Sequence, residues 1–138
     1  MKKYGILLIA LIIILSLSAC GSYKSNLSEL GTMYVSKEYH NQDNSYPSIT
    51  IKSVERKNNE IIISTESPIE QMNYALKNFL AFQAISESGD SSDQINVKLE
   101  ERNQQGVFIL TGDGVKDSKY IQIMPYKNKD SFLEFEIH

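Results

Sequence analysis

The chain has 138 residues, a net charge of −3 at pH 7 and a single cysteine. That length supports one domain after a short N-terminal segment, and the acidic balance excludes nucleic acid as the expected partner, because neutralising phosphate needs a concentrated basic surface. Two histidines, His40 and His138, and one thiol cannot assemble a zinc site, so no metal or other cofactor is expected.

Lys2 and Lys3 precede an apolar run from Ile6 to Leu17, which ends in Leu17-Ser18-Ala19-Cys20-Gly21. The run falls short of the about 20 apolar residues a helix needs to cross about 30 Å of hydrocarbon. A basic start, a short apolar core and small residues at its end instead describe a secretory signal over residues 1–19. An uncleaved anchor helix is the alternative, and it too leaves the rest of the chain outside the membrane. The Leu-Ser-Ala-Cys ending resembles the lipobox of bacterial lipoproteins. That resemblance implies cleavage between Ala19 and Cys20, diacylglycerol and palmitate at Cys20, and a place on the extracytoplasmic face of the cell membrane. Each buried methylene contributes about 0.8 kcal/mol, so one acyl chain holds marginally and two hold stably. Loss of residues 1–19 leaves 119 residues and takes the charge from −3 to −5. Such a domain is not drawn to an anionic surface, and membrane lipid through Cys20 is the expected anchor.

Residues 20–45 are expected to be the lipidated cysteine and a flexible tether, since Gly21 to Ser45 is polar and holds clusters such as Asn41-Gln42-Asp43-Asn44-Ser45. Met33 to Tyr39 carries β-favouring residues suited to an edge strand. Residues 46–138 are expected to form a β-rich globular domain. Ile49, Ile51 and Val54 lead through Lys57-Asn58-Asn59 into Ile61-Ile62-Ile63, which predicts a hairpin.

Ser67 as N-cap, Pro68 in the first turn and Glu70 closing a capping box predict a helix start. Two readings follow. In the favoured one the helix stops near Asn78, and Phe79 to Ser86 is a strand that turns through Glu87 to Ser92 and pairs with Gln94 to Glu101. In the other, Ile69, Met72, Leu76, Phe79 and Phe82 continue one helix over 68–87, ending at Gly89. Further along, Ile95, Val97 and Leu99 alternate with polar residues and turn at Asn103-Gln104-Gln105-Gly106. Val107-Phe108-Ile109-Leu110, apolar on both faces, fits a central strand. Tyr120 to Met124 alternates again, as does Leu133 to Ile137.

The favoured reading is an all-β, antiparallel sandwich of about seven strands with one short helix near 68–77; the alternative is an α+β domain with the helix over 68–87 packed on an antiparallel sheet or barrel. Phe79 to Gly89, Lys119 to Tyr126 and Leu133 to Ile137 together resemble the immunoglobulin-like accessory domains of small Gram-positive surface lipoproteins. The resemblance implies a sandwich architecture; the paired cysteines and core Trp of antibody domains are missing from the sequence. Tyr120 is a candidate for the corner tyrosine before the penultimate strand, or an ordinary half-buried strand tyrosine.

Chemistry is sparse. A serine nucleophile needs a base on a rigid element, and neither histidine sits on one; Thr111-Gly112-Asp113-Gly114 lacks the lysine and helix start of a phosphate loop. Asp90 and Asp93, with Asp113 and Asp117, could converge as calcium loops, but Asp and Gly also serve turns for their own backbone reasons. Glu134 and Glu136 are expected on the wet face of their strand rather than as a catalytic pair. Tyr23, Tyr34, Tyr39 and Tyr46 are candidates for a recognition surface. The expected function is a membrane-anchored, non-catalytic binding or interaction module whose partner is an envelope protein or a cell-wall component. The alternative is a lipocalin-like barrel carrying a small apolar ligand.

Overall fold

The computed structural model describes residues 23–34, 48–125 and 132–138. Within them nine strands form: β1 (Thr32–Tyr34), β2 (Ser48–Lys57), β3 (Glu60–Thr65), β4 (Leu80–Ser86), β5 (Ser91–Ser92), β6 (Asn96–Arg102), β7 (Gln105–Thr111), β8 (Ser118–Pro125) and β9 (Leu133–Glu136). Two helices interrupt them, α1 (Ile69–Asn78) and the single turn α2 (Asp113–Lys116).

The first hairpin turns on Asn58-Asn59, with Lys57 opposite Glu60 and Asn58 at φ 57°, a left-handed conformation that asparagine tolerates better than most residues. Along β2 the apolar spacing of Ile49, Ile51 and Val54 breaks strict alternation, and the register slips between Ile51 and Ser53. This bulge turns all three side chains into the core. The second hairpin turns at Asn103-Gln104, both with positive φ, as a type I′ turn requires.

All strand pairings within the two sheets are antiparallel. One sheet has the order β1-β2-β3-β7-β6 and the other β5-β4-β8-β9. With β2 to β9 lettered A, B, C, C′, D, E, F and G, the sheets become ABED and C′CFG, the immunoglobulin-like order, with β1 added outside A. The fold is therefore an all-β sandwich. Between the sheets Ile61, Ile63, Phe108, Leu110, Ile121 and Ile123 are fully buried, and Phe82 meets Phe108 edge to face at 5.2 Å. Each such side chain contributes about 1.5–3 kcal/mol on leaving water. β7 lies between β3 and β6 with both faces buried, as its unbroken apolar run predicts.

The helix ends at Asn78 and β4 follows, so the longer helix over 68–87 is not formed. Its N-terminus differs from expectation. Pro68 occupies the N-cap with no side-chain cap, and the Ser67 hydroxyl instead accepts the Thr50 N–H at 3.1 Å, tying the loop to β2. Met72 seats α1 against Gly106, where a Cβ would collide with the Met72 sulfur, so the close approach of helix and β7 depends on glycine. The expected pairing of the 79–86 strand with Gln94–Glu101 is also corrected. β4 pairs with Ser91 and Ser92 on one side and with β8 on the other, while β6 crosses to the other sheet and pairs with β7. Alternation reveals which side chains of β6 face inward, but both sheets offer it the same apolar interior.

The tether expectation changes as well. Residues 23–34 lie against the sandwich, first along β9 and then, as β1, on the outer edge of β2. This part of Gly21–Ser45 belongs to the globular domain. The rest of that span lies outside the described residues.

Candidate functional site

Among the described residues, the outer face of the β5-β4-β8-β9 sheet carries a buried polar cluster centred on Glu134. Gln122 on β8 and Glu134 on β9 are directly opposed in register, and both point away from the core that Ile121, Ile123 and Phe135 fill. An outward Glu on a strand is normally solvated. Glu134 is instead wholly buried, because the N-terminal strap of residues 23–31 crosses over it. The expectation of a wet face therefore fails at Glu134, although Glu136 keeps partial exposure.

Burying a carboxylate without partners costs far more than one interaction returns, so its oxygens must be met. The Tyr23 hydroxyl donates to Oε2 at 2.5 Å and the Gln122 amide donates to the same oxygen at 2.6 Å, while the Asn26 N–H reaches Oε1 at 3.2 Å. The backbone joins in. The Ser28 N–H donates to the Glu134 carbonyl at 2.8 Å, and the Glu134 N–H donates to the Ser28 hydroxyl at 3.2 Å. Hydrogen bonds to an ionised acceptor are short and about twice as strong as neutral ones.

The Tyr23 ring completes the cluster by packing on Tyr120, with centroids 5.6 Å apart, and against Gly89. Gly89 has φ +93°, and a Cβ there would lie 2.7 Å from the Tyr23 ring, so glycine is required on both counts. Burial first, then the hydrogen bond to Glu134 and its negative charge, push the Tyr23 phenol up to about 12. A phenol so reluctant to ionise is a persistent donor and a poor acid. The arrangement holds the strap to β8 and β9.

A second clamp lies at the same end of the sandwich. Arg56 on β2 donates to the Val115 carbonyl at 2.9 Å, the Ser118 carbonyl at 2.6 Å and the Ser118 hydroxyl at 3.2 Å, collecting the acceptors left at the end of α2. It secures the corner between the sheets that a tyrosine holds in many immunoglobulin-like domains. Tyr120 packs on Tyr23 instead. Beside this clamp the C-terminus is fixed, since the His138 N–H donates to Val54 and the Arg56 N–H donates to the His138 carbonyl. That bond pattern is a parallel bridge, and it closes the seam between the two sheets.

The residues predicted from sequence fare differently. Ala19 and Cys20, together with Tyr39 and Tyr46, lie outside the described residues. Tyr23 is no free recognition tyrosine, being engaged as described. The two acidic loops do approach each other, with the Gly114 N–H near the Gln94 carbonyl at 3.4 Å. Their carboxylates go elsewhere: Asp90 accepts from Ser88 at 2.5 Å and Asp113 pairs with Lys116 at 2.8 Å. Among the described residues no three of His, Cys, Asp and Glu gather in a geometry that could hold a metal ion. Exposed large apolar side chains are Leu27 and Leu30 on the strap, Tyr74 on α1 and Phe132 before β9. Sequence reasoning missed Glu134 and Tyr23 as a pair, because 111 residues separate them. The one local signal is that Gln122 and Glu134 both occupy outward positions of strands that neighbour in the sheet.

No protein-family model, curated protein or solved structure matches this chain.

Proposed function

We propose that the chain is a lipid-anchored lipoprotein of the extracytoplasmic face of the cell membrane, whose sandwich is a non-catalytic binding or interaction module for an envelope protein or a cell-wall component. The observation that carries the reading is the order Lys2-Lys3, a short apolar run, and Leu17-Ser18-Ala19-Cys20, with the only thiol at the end of the run.

Two features favour surface recognition over carriage of an apolar ligand. The space between the sheets is occupied by fully buried Ile, Leu and Phe side chains, and the exposed aromatic rings, Tyr74 and Phe132, face outward from the domain. Aromatic side chains are enriched where protein surfaces meet. Radioactive or clickable palmitate should label the protein in growing cells, and Cys20→Ser should abolish both the label and processing between Ala19 and Cys20. Unchanged labelling and membrane retention in Cys20→Ser would end the assignment.

A further inference from the structure

Where the strap enters the fold determines which end of the sandwich lies next to residue 20. Tyr23 packs on Tyr120, near the start of β8, and against Gly89, just after β4. The same end carries α2, the Asn58-Asn59 turn and the C-terminus, all joined through Arg56 and His138. At the opposite end lie α1, the Asn103-Gln104 turn and the start of β9.

We propose that residues 23–34 are a rigid mount, which holds the α2 end of the sandwich against the lipid headgroups and presents the α1 end away from the membrane. The membrane part rests on the lipid anchor at Cys20 proposed above. Three residue steps separate Cys20 from Tyr23, and an extended chain advances at most about 3.6 Å per residue, so the reach is about 11 Å. From Tyr120, against which Tyr23 packs, five residue steps lead to Pro125 at the far end of β8, about 17 Å at about 3.3 Å per residue. The anchor therefore cannot reach the α1 end. A free tether over Gly21–Ser45 would have had a root-mean-square span of about 25–30 Å and left orientation open.

Rigidity follows from how often the strap is fixed. Tyr23, Asn26 and Ser28 bond to Glu134, the Gly31 carbonyl accepts the Ile51 N–H at 2.9 Å, and Thr32 to Tyr34 pair with Ser48 to Thr50. No fixing point is more than three residues from the next. Charge does not supply the orientation. At the α2 end Lys116 pairs with Asp113 and Lys119 with Glu87, so these two cations are already matched by acids of the same surface.

The chain from Cys20 to His138 contains every described element, and a nitroxide placed on Cys20 in that chain tests the mount without any lipid. Backbone amides of 57–59, 87–90 and 113–119 should broaden, while those of 70–78 and 103–104 stay sharp. Equal broadening at both ends, or at neither, would overturn the mount. Tyr23→Ser should spread the broadening toward the α1 end while the resonances of β3 and β7 keep their folded positions. In the lipidated protein, a fluorophore on Asn59→Cys should be quenched by a headgroup-borne quencher and one on Asn73→Cys should not; equal quenching overturns the membrane-facing assignment. Failure of palmitate to label Cys20 would remove the membrane as the surface faced, while the nitroxide pattern separately decides the mount.

Discussion

The two outer faces of this sandwich pose one problem and solve it by different means. On the β1-β2-β3-β7-β6 sheet, Ile62, Val107 and Ile109 form an apolar cluster outside the core, nearly excluded from water. Their cover is local. In register across the strands, Glu55 stands opposite Ile62, Lys98 opposite Ile109 and Glu100 opposite Val107, so long charged side chains can lay their stems over the cluster and keep their heads wet. On the other sheet the cover is remote: a strap from the N-terminus buries Tyr120, Gln122 and Glu134 and must satisfy a carboxylate to do so. A locally covered face can lose one charged residue and adapt. A strap built around one buried acid fails at that acid.

Glu134→Ala is the largest test of this contrast. It strands the Tyr23 O–H and the Asn26 N–H and leaves the Gln122 amide only its 3.3 Å bond to the Tyr23 oxygen, and should cost about 3 kcal/mol in chemical denaturation, because a buried donor left without its charged acceptor carries its full desolvation penalty. A loss under about 1 kcal/mol would mean that water replaces the carboxylate and that the strap is loosely held. On the opposite face Ile109→Ala should cost about 2 kcal/mol, the lower end for a buried isoleucine, since the flanking stems can settle into the space.

Tyr23→Phe keeps the ring on Tyr120 and removes one hydrogen bond, for a loss of about 1 kcal/mol at neutral pH. Its pH dependence is the sharper readout. The folded phenol titrates near 12 against 10.0 for an unperturbed tyrosine, so the folded state binds more protons between those values. The stability contributed by Tyr23 is complete below about pH 10 and is lost as pH rises toward 12. The wild-type protein should therefore lose stability across that window more steeply than Tyr23→Phe; parallel curves would place the Tyr23 hydroxyl in solvent. Smallest of all, Glu100→Ala removes exposed pairs with Lys98 and Arg102 and should leave the thermal midpoint unchanged within error.

The same division separates what sequence reveals from what it hides. Alternation in Ile95–Leu99, Tyr120–Met124 and Leu133–Ile137 identifies the inward faces, and β7 is recognisable as central from its apolar run, because each signal is written within one strand. The helix length follows from local patterning too. Ser67 misleads because a serine before proline satisfies the capping pattern whether or not its hydroxyl is free, and here Thr50 takes it. Strand partners and the strap depend on residues far apart in the chain. Glu134 carries the pattern of a solvated strand residue, and nothing within ten residues announces the tyrosine that covers it. The motif expected at Ala19-Cys20 is of another kind, since a signal and lipidation motif is a short linear segment rather than a fold, and it lies outside the described residues.

The N-terminal strap is part of the folded domain, held by the bonds of Tyr23, Asn26 and Ser28 to Glu134. Amide hydrogen exchange followed residue by residue tests it most directly. The N–H groups of Asn26 and Ser28, which donate to Glu134, and of Ile51, which donates to Gly31, should be protected in the wild-type protein; in Glu134→Ala those of Asn26 and Ser28 should exchange rapidly while β3 and β7 stay protected. Exchange of Asn26 and Ser28 at the rate of an unstructured peptide in the wild-type protein, beside a fully protected core, would contradict it.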